Sequence, residues 1–368
     1  MQNGDVKTQN KRRIARLVYE KGEFSRQEIA TELGMSLPTV FQNVTDLVER
    51  GLLYESGAYG STGGRKAKTL SVSKQFRFTL GVDITRHHLR FVTYDISGEL
   101  GAEEYLSFPY ADSESYYQGL AKSLEAFIDK NGVDRERLVG VGLSIPGIVN
   151  PVLGVVSRSH ALEISNVPLR RFSEYFSYPV YYGNDAKNAA YAEIGNTKRS
   201  IVYLALNDTV GGAFYHQGHN YYGDGFKSAE FGHMVIVPGG KKCYCGKQGC
   251  VDAYCSAKAL VGADGNLEEF FQSLGKGDAM CKERFAEYLD YLAITVTNLR
   301  MAYDCDIILG GNVGGYLSSS IDALKLLLPK YDLFDADCSY LHTGTYKKES
   351  SAVGAAKRAV NLFLDALE

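Results

Sequence analysis

Between residues 10 and 50 the apolar positions recur at helical spacing. Ile14, Ala15, Leu17 and Val18 mark a first helix over 10–23. In "FSRQEIATELGMSLPTVFQNVTDLVERGLL", Ser25 followed by Glu28 is a capping box. It opens a second helix with Ile29, Ala30 and Leu33 inward and Gly34 at its end. Ser36 caps a third, with Pro38 in the first turn, where a missing N–H does no harm. Val40, Val44, Leu47 and Val48, at i, i+4, i+7 and i+8, form its buried stripe and leave Thr39, Gln42 and Asn43 outward. Two helices around a short turn are a helix-turn-helix, and outward amides suit the adenine edge in a major groove. The period then changes to two. "LLYESGAYGSTGGRKAKTLSVS" predicts strand, glycine-rich turn and strand, a wing whose tip carries Arg65 and Lys66 for phosphates or a narrow minor groove. A small helical bundle for protein contacts is the plainer alternative, but helix, helix-turn-helix and basic wing together are more specific than any one of them.

From residue 78 the texture is that of alternating strands and helices. "FTLGVDITRHHLRFVTYDISG" predicts a β-hairpin, and "LVGVGLSIPGIV", "SIVYLALN" and "CDIILGGNV" predict buried strands. Helical stretches at 116–130, 186–194 and 284–303 lie between them, which means α/β with a mostly parallel sheet. Two such clusters, 78–185 and 186–349, make two lobes with a cleft between them. A C-terminal helix over 350–368 is expected to complete the first lobe.

Composition changes this picture in three ways. The 368 residues are 45% hydrophobic, enough for two or three domains with substantial cores. No run of eighteen apolar residues exists and the first residues lack a secretory pattern, so the expectation is a cytoplasmic protein without a membrane span. Seven cysteines, four of them between Cys243 and Cys255, fit a reducing compartment better than a disulfide framework. The net charge of −3 divides unevenly: residues 1–77 hold 13 Lys or Arg against 8 Asp or Glu, and the remainder 27 against 35. A basic head on an acidic body is the asymmetry expected when one end meets a polyanion. DNA affinity is therefore expected in residues 1–77, folded on their own apolar face.

The segments "GVDIT", "SIPG", "GNDA", "EFGH" and "CYCGKQGCVD" occur in an order and spacing that resembles the ROK family of sugar kinases and sugar-responsive repressors. The resemblance covers essentially the whole chain, and "GSTGGRK" resembles the winged helix of the repressor branch. It implies a winged helix-turn-helix followed by a two-lobed actin-like body of the ribonuclease H-like, sugar kinase type. His233, Cys243, Cys245 and Cys250 give H-x9-C-x-C-x4-C. Three thiolates and an imidazole make a tetrahedral shell for Zn²⁺ with no position left for an activated water, so a metal here is structural. Free buried cysteines or a redox pair are the plainer readings. Cys255, Cys281, Cys305 and Cys338 are expected to be small core residues.

The resemblance further implies that Asn184, Asp185, Glu230, His233 and Asp252 bind sugar hydroxyls, for which amides and carboxylates are suited. Two of these have other readings. The family usually has Glu where this chain has Asp252, which shortens the reach by one methylene, and Asn184-Asp185 also fits a helix cap. Asp185 matches the general base of the kinase branch. Paired glycines follow the first-strand Asp in that branch, whereas Ile84-Thr85-Arg86 follow Asp83 here; Gly211-Gly212 and Gly310-Gly311 are either nucleotide turns or ordinary strand ends. The expectation is a regulator, with repression the more usual sign, that binds operator DNA and a sugar or sugar phosphate, holds structural zinc and does not use ATP. A two-fold operator calls for a homodimer or a dimer of dimers. The alternative is a hexose kinase with Asp185 as its base.

Overall fold

The computed structural model describes residues 3–58, 68–74, 76–195, 197–262, 265–335 and 337–368. The head begins with α1 (Asn3–Lys21), which starts seven residues before the helix expected from periodicity. A short strand β1 (Phe24–Ser25) leads into α2 (Arg26–Leu33). Ser25 and Glu28 form the reciprocal capping box, and Gly34 closes the helix in the left-handed conformation. Ser36 caps α3 (Leu37–Glu49) through Thr39 N–H. Val40, Val44 and Leu47 are buried as expected. Strands β2 (Leu53–Ala58) and β3 (Lys68–Val72) pair antiparallel, and β1 adds to the other edge of β3. The wing tip with Arg65 and Lys66 lies outside the described residues.

The first sheet of the body contains β4 (Phe78–Ile84), β5 (His88–Asp95), β6 (Leu100–Ser107), β7 (Leu138–Ile145) and β11 (Val180–Asn184), in the order β11-β7-β4-β5-β6. Helix α4 (Glu114–Lys130) packs its buried Leu120, Leu124 and Phe127 beneath this sheet. Between β7 and β11 lies a small sheet of β8 (Ile148–Asn150), β9 (Val155–Ser159) and β10 (Ile164–Pro168). Helix α5 (Asp185–Ile194) follows β11 directly.

The second sheet contains β12 (Ile201–Leu206), β13 (Val210–His216), β14 (His219–Asn220), β15 (Asp306–Gly310) and β16 (Leu341–Thr343), in the order β14-β13-β12-β15-β16. Short helices α6 (Asp252–Cys255) and α7 (Ala257–Val261), then α8 (Leu267–Gly275) and α9 (Ala279–Tyr303), bury one face of it. Helices α10 (Gly311–Leu317) and α11 (Ile321–Lys325) complete this half. The parallel pairs β4–β7, β7–β11, β12–β15 and β15–β16 agree with the α/β class read from the strand–helix alternation, but the antiparallel pairs β4–β5, β5–β6, β12–β13 and β13–β14 make both sheets mixed where mostly parallel ones were expected. Among the described residues no helix is long and apolar enough to cross a membrane.

The last helix, α12 (Ser350–Ala366), returns to the first sheet and lies against β4, β7 and α5. Its seat is made of missing side chains. A Cβ on Gly81 would stand 1.9 Å from Ala352 O, one on Gly142 2.0 Å from Ala355 O, and one on Gly354 1.7 Å from Asn188 O. The backbones therefore touch without side chains between them.

The same helix carries a correction to the picture of a self-contained head. Ile14, Leu17 and Val18 of α1 share one apolar cluster with Val353, Val360 and Leu364 of α12 and with Val92 and Tyr94 of β5. Around it, Arg16 bonds Asn361 and Asp365, Arg12 donates to Leu367 O, and Lys11 and Arg50 both donate to Glu368 O. Four of the head's cations thus face the body, and the surplus counted along the sequence overstates the charge the head can turn to a polyanion.

Candidate functional site

Two sites emerge, one on the head and one between the two sheets of the body. On the head, α3 presents Gln42 to solvent with Thr39 half-covered. Thr39 Oγ1 lies 2.8 Å from Ser36 Oγ, within the cap. Asn43 corrects the expectation. It is 1% exposed, its Nδ2 donates to Thr39 O at 2.7 Å, and its Oδ1 meets no partner. The reason lies in the spacing: Val40, Asn43, Val44 and Leu47 follow i, i+3, i+4, i+7, so Asn43 falls inside the stripe that faces the core. The outward surface instead includes Phe41, 53% exposed, which the search for polar base readers passed over.

In the body, a cavity of about 780 Å³ opens between the end of the first sheet and the second half. The β4–β5 turn, the segment after β9, the β12–β13 turn and the start of α12 wall it. Asp185, at the first position of α5, and Asp252, at the start of α6, both line it, as does Asp83 at the end of β4. Asp83 is buried. Burial, then the charge of Asp185, pushes its carboxyl up to about 7, with Arg90 opposing. Burial raises Asp185 to about 6 against the backbone N–H groups and the Asn184 amide that favour its charged form. Asp252 also rises to about 6 by burial, and its Oδ2 accepts from Val210 N–H at 2.6 Å.

The other three residues implied by the resemblance stand outside the cavity wall. Asn184 is the N-cap of α5: its Oδ1 accepts from Lys187 N–H at 3.0 Å, and its Nδ2 donates to Gly147 O and Asp185 Oδ1, both at 2.8 Å. Its amide orients Asp185, which is the cap reading weighed from the sequence. Glu230 is exposed and lies close enough to Asp185 and the buried Lys187 to feel both charges. His233 turns its Nδ1 toward Cys243 and its Nε2 toward Tyr244 Oη, 3.3 Å away. Sequence reading missed much of the wall, including Arg86, His87, His88 and His160. The tripeptide Arg86-His87-His88 in the hairpin turn was the available signal.

That turn is closed on itself. Thr85 N–H donates to His88 O at 2.9 Å, and His88 N–H donates to Thr85 Oγ1 at 3.0 Å. Arg86 ties it to the far wall through Leu162 O and Glu163, both at 3.2 Å. The glycines weighed as nucleotide turns are explained by packing. A Cβ on Gly211 would meet that of Ala186 at 2.8 Å, one on Gly212 would meet Phe231 at 2.3 Å, and one on Gly310 would meet the Tyr203 hydroxyl at 2.2 Å.

Beside the cavity, the donor atoms of His233, Cys243, Cys245 and Cys250 all lie within 4.8 Å of one another. Cys243 Sγ is 3.9 Å from His233 Nδ1, and Cys245 Sγ is 3.9 Å from Cys250 Sγ. Four such ligands on a tetrahedral ion at about 2.0–2.3 Å would be about 3.5–3.8 Å apart, so the donor set fits a Zn²⁺ shell. The loop is held in this shape by bridges Val235↔Cys250 and Lys242↔Gln248. Gly249, at φ +82°, passes so close to Val237 O that a Cβ would stand 1.8 Å from it. Cys255 and Cys305 are buried as expected, and Cys281 and Cys338 are half-buried.

Comparison with known proteins supports the resemblance stated from the motifs. The ROK family model matches residues 79–361, and a winged helix-turn-helix DNA-binding model matches residues 7–54. The xylose repressor of Bacillus spizizenii is 27% identical over 261 residues, covering 70% of this chain and 68% of the repressor. The DNA-binding transcriptional dual regulator NagC of Escherichia coli is 26% identical over 260 residues, 69% of this chain and 64% of its own length. Among solved structures, a ROK family transcriptional regulator described as a homologue of the E. coli MLC protein covers 98% of both chains, with 19% identity and a TM-score of 0.78. A ROK family glucokinase from Streptomyces griseus, in complex with glucose and AMPPNP, covers 77% of this chain and 99% of its own, with 22% identity and a TM-score of 0.66. Both share the fold, and the first covers nearly the whole of this chain, head included. With the family model matched from β4 into α12, this chain belongs to the ROK family.

Proposed function

We propose that this protein is a sugar-responsive transcriptional regulator, a repressor by its likeness to the xylose and NagC-type regulators. Its units are the winged helix of residues 1–77, a first lobe of 78–185 completed by 350–368, and a second lobe of 186–349. One observation carries the reading: a single chain holds an outward recognition helix and an acid-lined cavity, with α12 touching the structures that bear both. Thr39, Gln42, Arg65 and Lys66 face DNA. Asp185 and Asp252 receive hydroxyls of a sugar or sugar phosphate from the cavity wall. Asn184 orients Asp185, while Glu230 and His233 approach the ligand from beside it. His233, Cys243, Cys245 and Cys250 hold one Zn²⁺ that shapes the loop bearing Asp252. Two copies bind a two-fold operator in the cytoplasm.

The kinase reading has Asp185 in its favour. Against it, Ile84-Thr85-Arg86 follow Asp83 where the kinase branch has paired glycines, and the amides of Thr85 and His88 are spent inside their own turn. A kinase needs such donors to position the transferred phosphoryl group. The test uses the full chain. Duplexes are selected from a random library, then challenged with hexoses, pentoses and their phosphates, and the same compounds are assayed with ATP. The reading expects salt-sensitive DNA binding that one sugar changes, and no sugar phosphorylation. Turnover on the order of 1 per second would overturn it in favour of a kinase.

A further inference from the structure

On α3 the residues Leu37, Phe41 and Thr45 follow i, i+4, i+8 and form one outward stripe, with Gln42 beside it. Leu37 is 39% exposed and Phe41 53%. Single exposed apolar residues are common on protein surfaces. This pair differs because its ring is held in place. The Arg26 guanidinium lies 5.1 Å from the Phe41 ring centroid, and Arg26 is itself fixed by Glu55 of β2 at 3.3 Å through both terminal nitrogens. The ring is thus braced from the N-terminus of α2 and the first strand of the wing, while its other face is open. Leu37 and Phe41 also lie in the N-terminal half of the helix, the part that meets base edges when such a helix enters a major groove. In that groove the sole apolar group on any base edge is the C5 methyl of thymine.

We infer that Phe41, with Leu37 beside it, reads thymine methyl groups in the major groove, so that each half-site carries thymine next to the adenine read by Gln42. The inference rests on the regulator reading above and deepens it by naming the base feature that gives specificity. Phe41 acts by van der Waals contact and water exclusion. A contact of this kind discriminates thymine from cytosine and from uracil, which lacks only the methyl.

The experiment takes duplexes that the full chain selects from a random library and replaces each dT by dU, one position at a time. For the wild type, dU at one or two positions in each half-site should weaken binding about fourfold, the worth of one buried methyl. Phe41→Ala should bind the dT duplex more weakly and lose the difference between dT and dU at those positions. Gln42→Ala should keep that difference, and Phe41→Leu should retain part of it. Circular dichroism of each variant shows whether the head is intact. A Phe41→Ala protein that is folded and still discriminates dT from dU as the wild type does would overturn the inference, as would a wild type indifferent to every methyl. If Phe41→Ala instead changes the oligomeric state while methyl discrimination persists, the stripe is a protein contact and the inference fails. A full chain that selects no DNA at all defeats the regulator reading as well, whereas sequence-specific binding without methyl dependence defeats this inference alone.

Discussion

Asp83 and Asp185 show how two carboxyls at one cavity come to differ from surface acids. Both rise above the ordinary aspartate value of 3.8, to about 7 and about 6, first because burial strips water from the charged form. The folded protein therefore holds protons that the unfolded chain has already released between about pH 4 and pH 7. Their contribution to stability is full below the unfolded value and is lost as pH rises through the folded ones. Asp83→Asn removes the larger share of this loss without changing shape. Denaturant melts should show the variant gaining on wild type at pH 8, by an amount on the order of 1–3 kcal/mol, and matching it near pH 4. A gain that is equal at both pH values would show that Asp83 is ionised throughout. Comparing variant with wild type at each pH cancels any effect of pH on the cysteine loop.

At the scale of elements, the cysteine loop and the crossing of α5 with α12 carry separate expectations. Cys245→Ser leaves three donors around the proposed ion, and elemental analysis should then find about one zinc per chain in wild type and little in the variant. Because Asp252 follows Cys250 by two residues and lines the cavity, sugar binding should weaken with the loss of metal. Gly354→Ala places a methyl where Asn188 O already stands, and overpacking of this kind costs about 1–3 kcal/mol, seen as a lower denaturation midpoint. What the sequence made legible were the features whose signal is local. The capping box of Ser25 and Glu28, the Ser36 cap, the hairpin after Phe78 and the spacing of the His233 and cysteine cluster each need only a few neighbouring residues to be recognised. Asn43 misled because a polar residue inside an apolar stripe looks outward until its side chain finds the carbonyl of Thr39. Arg86 and His160 could not be assigned to one wall, because strands distant in sequence bring them there. The seat of α12 was equally hidden, since glycines in β4 and β7 announce an approach without saying what approaches.

At the scale of the molecule, the shared cluster of α1, β5 and α12 has a consequence for heat and exchange. Parting the winged helix from the body would cut the apolar cluster that Ile14 and Val18 share with Val353, Val360 and Leu364. Neither half has a complete boundary, so the two should lose structure together. Calorimetry of the full chain is expected to show the head melting within the transition of the body, with no earlier peak. A sugar seated in the cavity should then slow amide hydrogen exchange in α1 although it touches nothing there, because every opening of that helix also opens part of what the ligand stabilises. Two well-separated transitions, with exchange in α1 indifferent to sugar, would show that the seam between head and body yields before either side of it. In a seam that holds, the helix-turn-helix inherits its rigidity from the far end of the chain, and a domain boundary drawn at residue 77 marks a change of fold without marking a unit of cooperativity.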